Sequence, residues 1–179
     1  MKKAFFAGCV SFLIMSCGGE SESQKGKLIN FELGPVNKGP VGTEATFTLI
    51  VPENTSKEDL EQFLFCFKDG NKLRDQILAK IPAKTPKSPR SQYAQMSIFI
   101  LKNKLIAEKV TQYMQGDSND PLYKQKSLEF EKGVVATYYY GARKDPKFDW
   151  EQAVVGRGGA LIEFDEQDAK ILYEKNVNN

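Results

Sequence analysis

The side chains that most often perform catalysis are scarce in this sequence. Histidine is absent, which removes the commonest general base and the commonest zinc ligand. Carboxylates can still act in pairs, as in glycoside hydrolysis. Two acidic clusters are present, the first with Asp145, Asp149 and Glu151, the second with Glu163, Asp165, Glu166 and Asp168. The second cluster lacks the alternation and central glycine of a calcium loop. Because such carboxylates are typical of a solvated face or a helix N-terminus, we predict no catalytic residue, metal ligand or cofactor.

Cys66 is the one cysteine that follows position 17 in the chain. Phe65 and Phe67 flank it, and burial among apolar residues raises the pKa of a thiol and lowers its reactivity. Without a histidine to activate it, Cys66 is predicted to be a buried structural residue rather than a nucleophile.

A glycine-rich stretch, Gly156-Arg157-Gly158-Gly159, resembles a phosphate-binding loop only in composition. It lacks the Gly-Lys-Ser/Thr ending of a nucleotide-binding P-loop and the spacing of the dinucleotide fingerprint. The stretch is therefore predicted to be a turn between two apolar segments.

One stretch of the chain is strongly basic. From Lys68 to Lys104 there are nine basic and two acidic residues, and prolines keep the segment around Lys84, Lys87 and Arg90 extended. Such a loop could contact anionic lipid headgroups or an acidic envelope polymer. The preferred interpretation is a loop that only improves solubility.

Aromatic residues form a second candidate interaction surface. Tyr138 and Tyr140 share one face of a predicted strand, and Trp150 follows nearby in the sequence. Tyrosine and tryptophan provide rigid contact area in binding sites. The preferred interpretation is that these rings lie at the edge of the core with a wet hydroxyl group.

The amino terminus carries the clearest motif. Lys2 and Lys3 precede an apolar run of 12 residues, Ala4 to Met15, which is too short to span a bilayer as a helix and is typical of a secretory signal peptide. The four residues Ile14-Met15-Ser16-Cys17 then resemble the lipobox of bacterial lipoproteins, with an aliphatic residue at −3, a small residue at −1 and cysteine at +1. Met15 departs from the family pattern at its permissive position.

The resemblance to bacterial lipoproteins implies a diacylglyceryl group on the Cys17 thiol, cleavage before Cys17 and acylation of the new amine. Two or more acyl chains anchor a protein stably to a membrane. Gly18 is not the aspartate that retains enteric lipoproteins in the inner membrane, so the resemblance favours the outer membrane and leaves the leaflet open.

Charge argues against nucleic acid as a partner. The chain has 25 basic and 23 acidic residues, and loss of Lys2 and Lys3 with the signal peptide would leave 23 of each. A neutral domain has no overall field to attract a polyanion.

Residues 18–27 (GGESESQKGK) are predicted to be a flexible tether.

Apolar periodicity predicts the elements of the domain. Strands are predicted at 28–33, 46–51, 96–101, 134–140 and 160–164, with Gly34-Pro35 in a connection. Thr55 and Glu58 fit a capping box before a helix with Leu60, Phe63, Leu64 and Phe67 on one face. Residues 73–81 suit a further helical stretch, 116–121 a loop, and 166–175 a short final helix capped by Asp165. Residues 104–115 favour a helix, with a hairpin strand as the alternative.

These elements predict an α+β fold, a small mixed α/β sandwich with one sheet of about five strands and two or three helices. The predicted organisation is a signal peptide over 1–16, a tether over 17–27 with lipidated Cys17, and one domain over 28–179. We expect an envelope lipoprotein that acts as a non-enzymatic binding module for a protein or polymer partner. The alternatives are a His-free hydrolase that uses acidic residues, and an inhibitor or immunity protein.

Overall fold

The fold is built on one six-stranded mixed sheet, seen in a computed structural model. The structure describes residues 26–38, 44–68, 73, 76–77, 95–117, 119–141, 146–157 and 168–176. The strands are β1 (Glu32–Lys38), β2 (Glu44–Ile50), β3 (Gln95–Leu101), β4 (Val134–Gly141), β5 (Trp150–Val155) and β6 (Lys170–Lys175). They lie in the sheet in sequence order. The predicted α+β class is confirmed, with six strands where about five were expected.

Neighbouring strands run antiparallel except for one pair. β2 and β3 are parallel, with Phe47 opposite Ile98, so the chain between them must cross from one end of the sheet to the other. This crossover contains α1 (Lys57–Leu64) and a 3₁₀ helix (Phe65–Phe67). Three more helices separate β3 from β4: α2 (Lys104–Ala107), α3 (Val110–Gln115) and α4 (Pro121–Gly133).

The two faces of the sheet bury different cores. One face carries Phe47, Ile98 and Tyr138 and packs against α1 and the 3₁₀ helix. The opposite face carries Phe99 and packs against Val110 of α3 and Phe130 of α4. Because successive side chains of a strand point to opposite faces, β2, β3 and β4 contribute to both cores. The helices therefore lie in two layers with the sheet between them.

The first predicted strand, 28–33, is displaced in the structure. Residues 26–31 lie outside the sheet, and β1 begins at Glu32. The alternating apolar residues Ile29 and Phe31 instead pack against the core, where the Phe31 and Phe63 rings lie 5.6 Å apart. The alternation of apolar and polar residues at 28–33 thus correctly indicates an extended segment. Residues 28–31 of that segment contact a helix instead of pairing with a strand.

Gly34 and Pro35 lie within β1, although they were predicted to form a connection. The register shifts between Leu33 and Val36, which places the proline at an irregularity where it removes no ladder hydrogen bond. The Pro35 carbonyl accepts a hydrogen bond from the Thr48 hydroxyl at 3.0 Å. A Cβ at Gly34 would lie 2.4 Å from the same hydroxyl oxygen of Thr48. The close approach of β1 to Thr48 of β2 therefore favours a glycine at position 34.

The predicted cap of α1 is wrong by one residue. Ser56, rather than Thr55, is the N-cap, and its hydroxyl accepts a hydrogen bond from the Asp59 backbone N–H at 3.0 Å. Thr55 is buried instead. The apolar stripe is confirmed, because its four residues are all buried in the core: Leu60, Phe63, Leu64 and Phe67.

Residues 104–115 are helical, as preferred, and the hairpin alternative is wrong. They form two short helices, and Asn103 caps the first of them, α2, through its side chain. The predicted loop 116–121 ends in the N-terminus of α4, which the sequence prediction missed. Asp120 caps that helix and Pro121 occupies its first turn, an arrangement in which the missing proline N–H has no cost.

The predicted final helix over 166–175 is wrong, because Lys170–Lys175 forms β6. This strand pairs with β5 and places Tyr173 opposite Ala153. The predicted strand at 160–164 and the cap Asp165 lie outside the described residues. Leu73, Gln76 and Ile77 are helical, as expected for 73–81, and the rest of that stretch also lies outside the described part.

Candidate functional site

The structure separates the aromatic residues that the sequence had grouped as one surface. Tyr138 is 0% exposed and Tyr140 is 9% exposed, both on the face of the sheet covered by α1. Trp150 pairs with Gly141 and is half-buried, and its alternation in β5 puts it on the opposite face. Tyr138 and Tyr140 are thus core residues, as the preferred interpretation expected, although the Tyr138 hydroxyl is buried rather than wet. A recognition surface is wrong for these two residues. Lys84, Lys87 and Arg90 lie outside the described residues.

Tyr138 instead forms a buried pair with an acidic residue. Its hydroxyl donates a hydrogen bond to Oε2 of Glu151 at 2.9 Å and lies 3.3 Å from the carbonyl oxygen of Phe67. Glu151 is only 3% exposed. Because a carboxylate loses water on burial, it needs such polar partners to remain in the core. The 3₁₀ helix supplies one wall of this site, and β4 and β5 supply the other.

A second tyrosine–carboxylate pair lies at the end of the same two strands. The Tyr140 hydroxyl donates to Oδ2 of Asp149 at 3.1 Å, and Asp149 is half-buried. The Asn176 side-chain amide donates to the backbone carbonyls of Asp149 and Lys147, at 3.0 Å and 2.8 Å. These contacts join the end of β6 to the segment before β5.

The two pairs form what we call the tyrosine–carboxylate cluster: Tyr138, Tyr140, Asp149 and Glu151. The sequence analysis considered Asp149 and Glu151 together as possible catalytic carboxylates. A glycosidase needs both carboxyl groups to face one cleft that admits the substrate. The burial of Glu151 prevents this, because a substrate in solution cannot reach its side chain. The cluster is therefore suited to hold strands together rather than to perform hydrolysis.

The sequence contained a signal for this burial that was not used. In β5, Glu151 alternates with Ala153 and Val155, which are both buried, so its side chain points into the core. Recognising 150–155 as a strand would have placed Glu151 inside. It would also have placed Trp150 and Gln152 on the opposite face.

Two titratable residues lie close together on the opposite face of the sheet. Burial raises the pKa of the Tyr139 phenol, and the negative charge of Glu131 on α4 adds to this effect. Glu131 is itself 1% exposed. The Tyr139 phenol therefore remains neutral at a higher pH than an exposed tyrosine. The sequence analysis did not single out Glu131, because its buried position depends on how α4 packs.

A shallow depression of about 330 Å³ lies between α3 and α4. The residues that line it are Thr111, Gln112, Gly116, Asp117, Asp120, Tyr123 and Lys126. Asp120 is engaged as the cap of α4, and Asp117 accepts hydrogen bonds from Asn119. The Tyr123 ring packs on Gly116, where a Cβ would lie 1.9 Å from it. The carboxyl groups of Asp117 and Asp120 thus already form hydrogen bonds within the connection between α3 and α4.

Cys66 is buried, as predicted, with an exposed fraction of 0%. Its thiol lies against the backbone of Gly26, where a Cβ would be 2.6 Å from Sγ. A reagent in solution cannot reach a sulfur packed in this way. Among the described residues, no group of three or more cysteine and acidic side chains could hold a metal ion.

Gly156 lies at a bend directly after β5, and the rest of the predicted turn, Gly158-Gly159, lies outside the described residues. The Gly156 φ of +113° is disfavoured for residues with a side chain, and its N–H donates to the Val135 carbonyl at 2.8 Å. Arg157 lies 3.8 Å from the Asp168 carboxylate. The backbone N–H of Gly156 is thus already engaged within the sheet region.

Comparison with known proteins identifies no relative. No family model, no curated protein and no solved structure matches this chain. Within the described residues, no helix is both long and apolar enough to cross a membrane. The function must therefore be argued from the motifs and contacts of the chain itself.

Proposed function

We propose that this protein is a bacterial envelope lipoprotein, anchored through lipid on Cys17, whose domain acts as a non-enzymatic binding module. The observation that carries the proposal is the sequence Ile14-Met15-Ser16-Cys17 after a short apolar run. Its spacing matches the processing site of the lipoprotein family, with cysteine at the first mature position. The absence of the inner-membrane aspartate at Gly18 favours the outer membrane.

The start of the folded domain supports a tethered arrangement. Gly26 and Lys27 already contact the 3₁₀ helix and α1: the Lys27 N–H donates to the Gln62 carbonyl at 3.0 Å. The Lys27 ammonium lies 3.0 Å from the Asp59 carboxylate. Only nine peptide steps separate Cys17 from Gly26 in the sequence. A short connection of this kind suits an anchor on a water-soluble domain.

The chemistry of the described residues favours binding over catalysis. The buried carboxylate of Glu151 bonds to Tyr138, and the only thiol of the described part, Cys66, is buried. General acid–base or nucleophilic catalysis needs a group that can touch a substrate. The binding partner is proposed to be a protein or polymer of the envelope, with the anchor keeping the domain close to it.

The anchor is tested by the mass of the mature amino terminus. Protein expressed in a bacterium that processes lipoproteins should begin at Cys17 and carry the mass of a diacylglyceryl group, and it should incorporate labelled palmitate. The Cys17→Ala variant should lack both modifications. An unmodified thiol at position 17, or another first residue, would refute the lipoprotein assignment.

Binding is tested separately by crosslinking in intact cells. A tagged wild-type protein should form a discrete crosslinked product of reproducible mass, because the anchored domain is held near its partner. The Cys17→Ala variant should lose or reduce that product. If the wild-type protein gave no product with crosslinkers of several lengths, the proposed binding module would be contradicted while the anchor could still stand.

A further inference from the structure

The chain enters the folded domain on one particular side of the molecule. Gly26 packs against Cys66 and the backbone of Phe65, and Lys27 hydrogen-bonds to Gln62. We call Gly26, Lys27 and Gln62 the tether-side surface. It belongs to the layer of α1 and the 3₁₀ helix, whereas α4 lies on the opposite face of the sheet.

We infer that the tether-side surface faces the lipid bilayer and that α4 faces away from it. This inference rests on the proposed function, because it takes Cys17 as the point of lipid attachment. The partner of the tether-side surface is thus the headgroup layer of the membrane that holds the anchor. An envelope partner would then meet the side that carries α4.

The length of the connection restricts how the domain can turn. Nine peptide steps reach about 30 Å when fully extended. A domain of about 150 residues has a radius of gyration near 15 Å, so its opposite sides lie roughly 40 Å apart. A chain that leaves at Gly26 is therefore too short to pass around the domain. The side with α4 cannot come against the bilayer while Cys17 remains in it.

The contacts at Gly26 fix the point from which the tether leaves. Any side chain at position 26 would overlap Cys66, since a Cβ would lie 2.6 Å from its sulfur and 2.7 Å from its nitrogen. Next to it, the Phe31 ring packs on Phe63 in the core. The chain therefore cannot shift along α1 without breaking the packing of two buried residues.

Charge is not needed for this orientation. Lys27 pairs with Asp59 at 3.0 Å, and Lys170 pairs with Glu61 at 3.1 Å, so these two cations near α1 are matched by carboxylates. The Lys57 ammonium donates to the Asp168 backbone carbonyl at 3.1 Å. The tether alone should orient the domain even on a neutral membrane. Phosphatidylcholine vesicles, which carry no net charge, are accordingly the appropriate probe.

Energy transfer to labelled lipids tests the orientation in the full lipidated protein. Gln62 on α1 and Gln125 on α4 are both exposed glutamines on helices, which makes Gln62→Cys and Gln125→Cys a matched pair of dye sites. The parent protein controls the labelling, because its buried Cys66 should take up no dye. Each labelled protein is placed on phosphatidylcholine vesicles that contain an acceptor dye on the headgroup.

Transfer from position 62 should exceed transfer from position 125, roughly twofold, at equal acceptor density. Equal transfer, or greater transfer from position 125, would overturn the orientation. Flotation of the same samples separates the two proposals. If the protein does not float with the vesicles, the lipid anchor fails; if it floats but the two positions transfer equally, only the orientation fails.

A longer tether tests the physical cause. A Gly-Ser insertion of about 20 residues after Ser23 would let the chain pass around the domain. The difference between positions 62 and 125 should then shrink, while flotation is retained. A difference that stays unchanged would overturn the short tether as the cause of the orientation.

Discussion

The hydroxyl group of Tyr138 on β4 lies 2.9 Å from Oε2 of Glu151 on β5, and neither side chain is open to solvent. Tyr138 lies opposite Ala153 rather than Glu151 in the sheet, so the contact runs diagonally between the strands. Long side chains can bridge the distance between diagonal neighbours. The Phe67 ring stacks on Tyr138 at 5.1 Å. The acidic residue is thus enclosed by aromatic packing.

Removing the Tyr138 hydroxyl should destabilise the domain. Tyr138→Phe keeps the ring but leaves the buried Glu151 carboxylate without this donor, and we expect a loss of about 1–3 kcal/mol in the free energy of unfolding. Urea denaturation measures the loss. Tyr140→Phe is the matched control, because its half-buried partner Asp149 can be hydrated, and it should cost less than about 1 kcal/mol. Equal losses would contradict the role assigned to Glu151.

Lys27 should control the ionisation of Asp59. The hydrogen bond from Lys27, then that from Ser56, lowers the pKa of the Asp59 carboxyl below its ordinary value. Lys27→Met should raise this pKa toward the ordinary value, which NMR titration of the carboxyl carbon can follow. Lys104→Met, which removes an ion pair with Glu32, is the control and should leave Asp59 unchanged. An identical Asp59 titration in Lys27→Met would refute the pairing.

The sign of the pH effect follows from the lowered pKa. A carboxyl group with a depressed pKa in the folded state stabilises the fold above its unfolded pKa, about 3.9. That contribution is lost as the pH falls through the folded pKa. The attachment of Lys27 to α1 should therefore weaken in acid, and the protection of the Lys27 amide, measured as its exchange rate relative to the intrinsic rate at the same pH, should fall there.

Tyr139 should make the fold sensitive to alkali. Because burial raises its pKa, the folded state holds the phenolic proton more tightly than the unfolded chain. Stability is therefore present below the unfolded pKa, about 10, and falls as the pH rises above it. Tyr139→Phe should flatten this decline in urea denaturation between pH 9 and 11, roughly the range around that pKa. The same slope in both proteins would contradict the prediction.

Gly156 should not tolerate alanine. Its φ is +113°, and a Cβ would lie 2.1 Å from the carbonyl oxygen of Asp168. Gly156→Ala should cost about 1–3 kcal/mol of unfolding free energy. Gly133→Ala is the control, because Gly133 has no positive φ and its Cβ would meet a side-chain atom of Ile106, at 2.7 Å, rather than backbone, so it should cost less than Gly156→Ala. Thermal unfolding compares the two, and a larger loss in Gly133→Ala would contradict the assignment.

Local sequence patterns determined several elements correctly because their cause is local. The stripe Leu60, Phe63, Leu64 and Phe67 needs only the helical period to predict a buried face, and the structure buries it. Residues 96–101 and 134–140 are rich in apolar, β-branched and aromatic residues, and both are strands. The α+β class follows from such segments taken together. The lipobox assignment also depends only on four consecutive residues, Ile14-Met15-Ser16-Cys17, and it stays a prediction.

Tertiary structure decided what depends on a neighbour distant in the chain. At 28–33 the alternating residues Ile29 and Phe31 pack on the core, with Phe31 on Phe63 of α1, and no local pattern distinguishes such a contact from strand pairing. Lys170–Lys175 is a strand because β5 supplies its hydrogen-bond partners. The sequence indicates that Tyr138 could lie on the surface. In the structure it is enclosed by Glu151, which accepts its hydrogen bond, and by Phe67. Periodicity reports which residues share a face, and only the fold determines what covers that face.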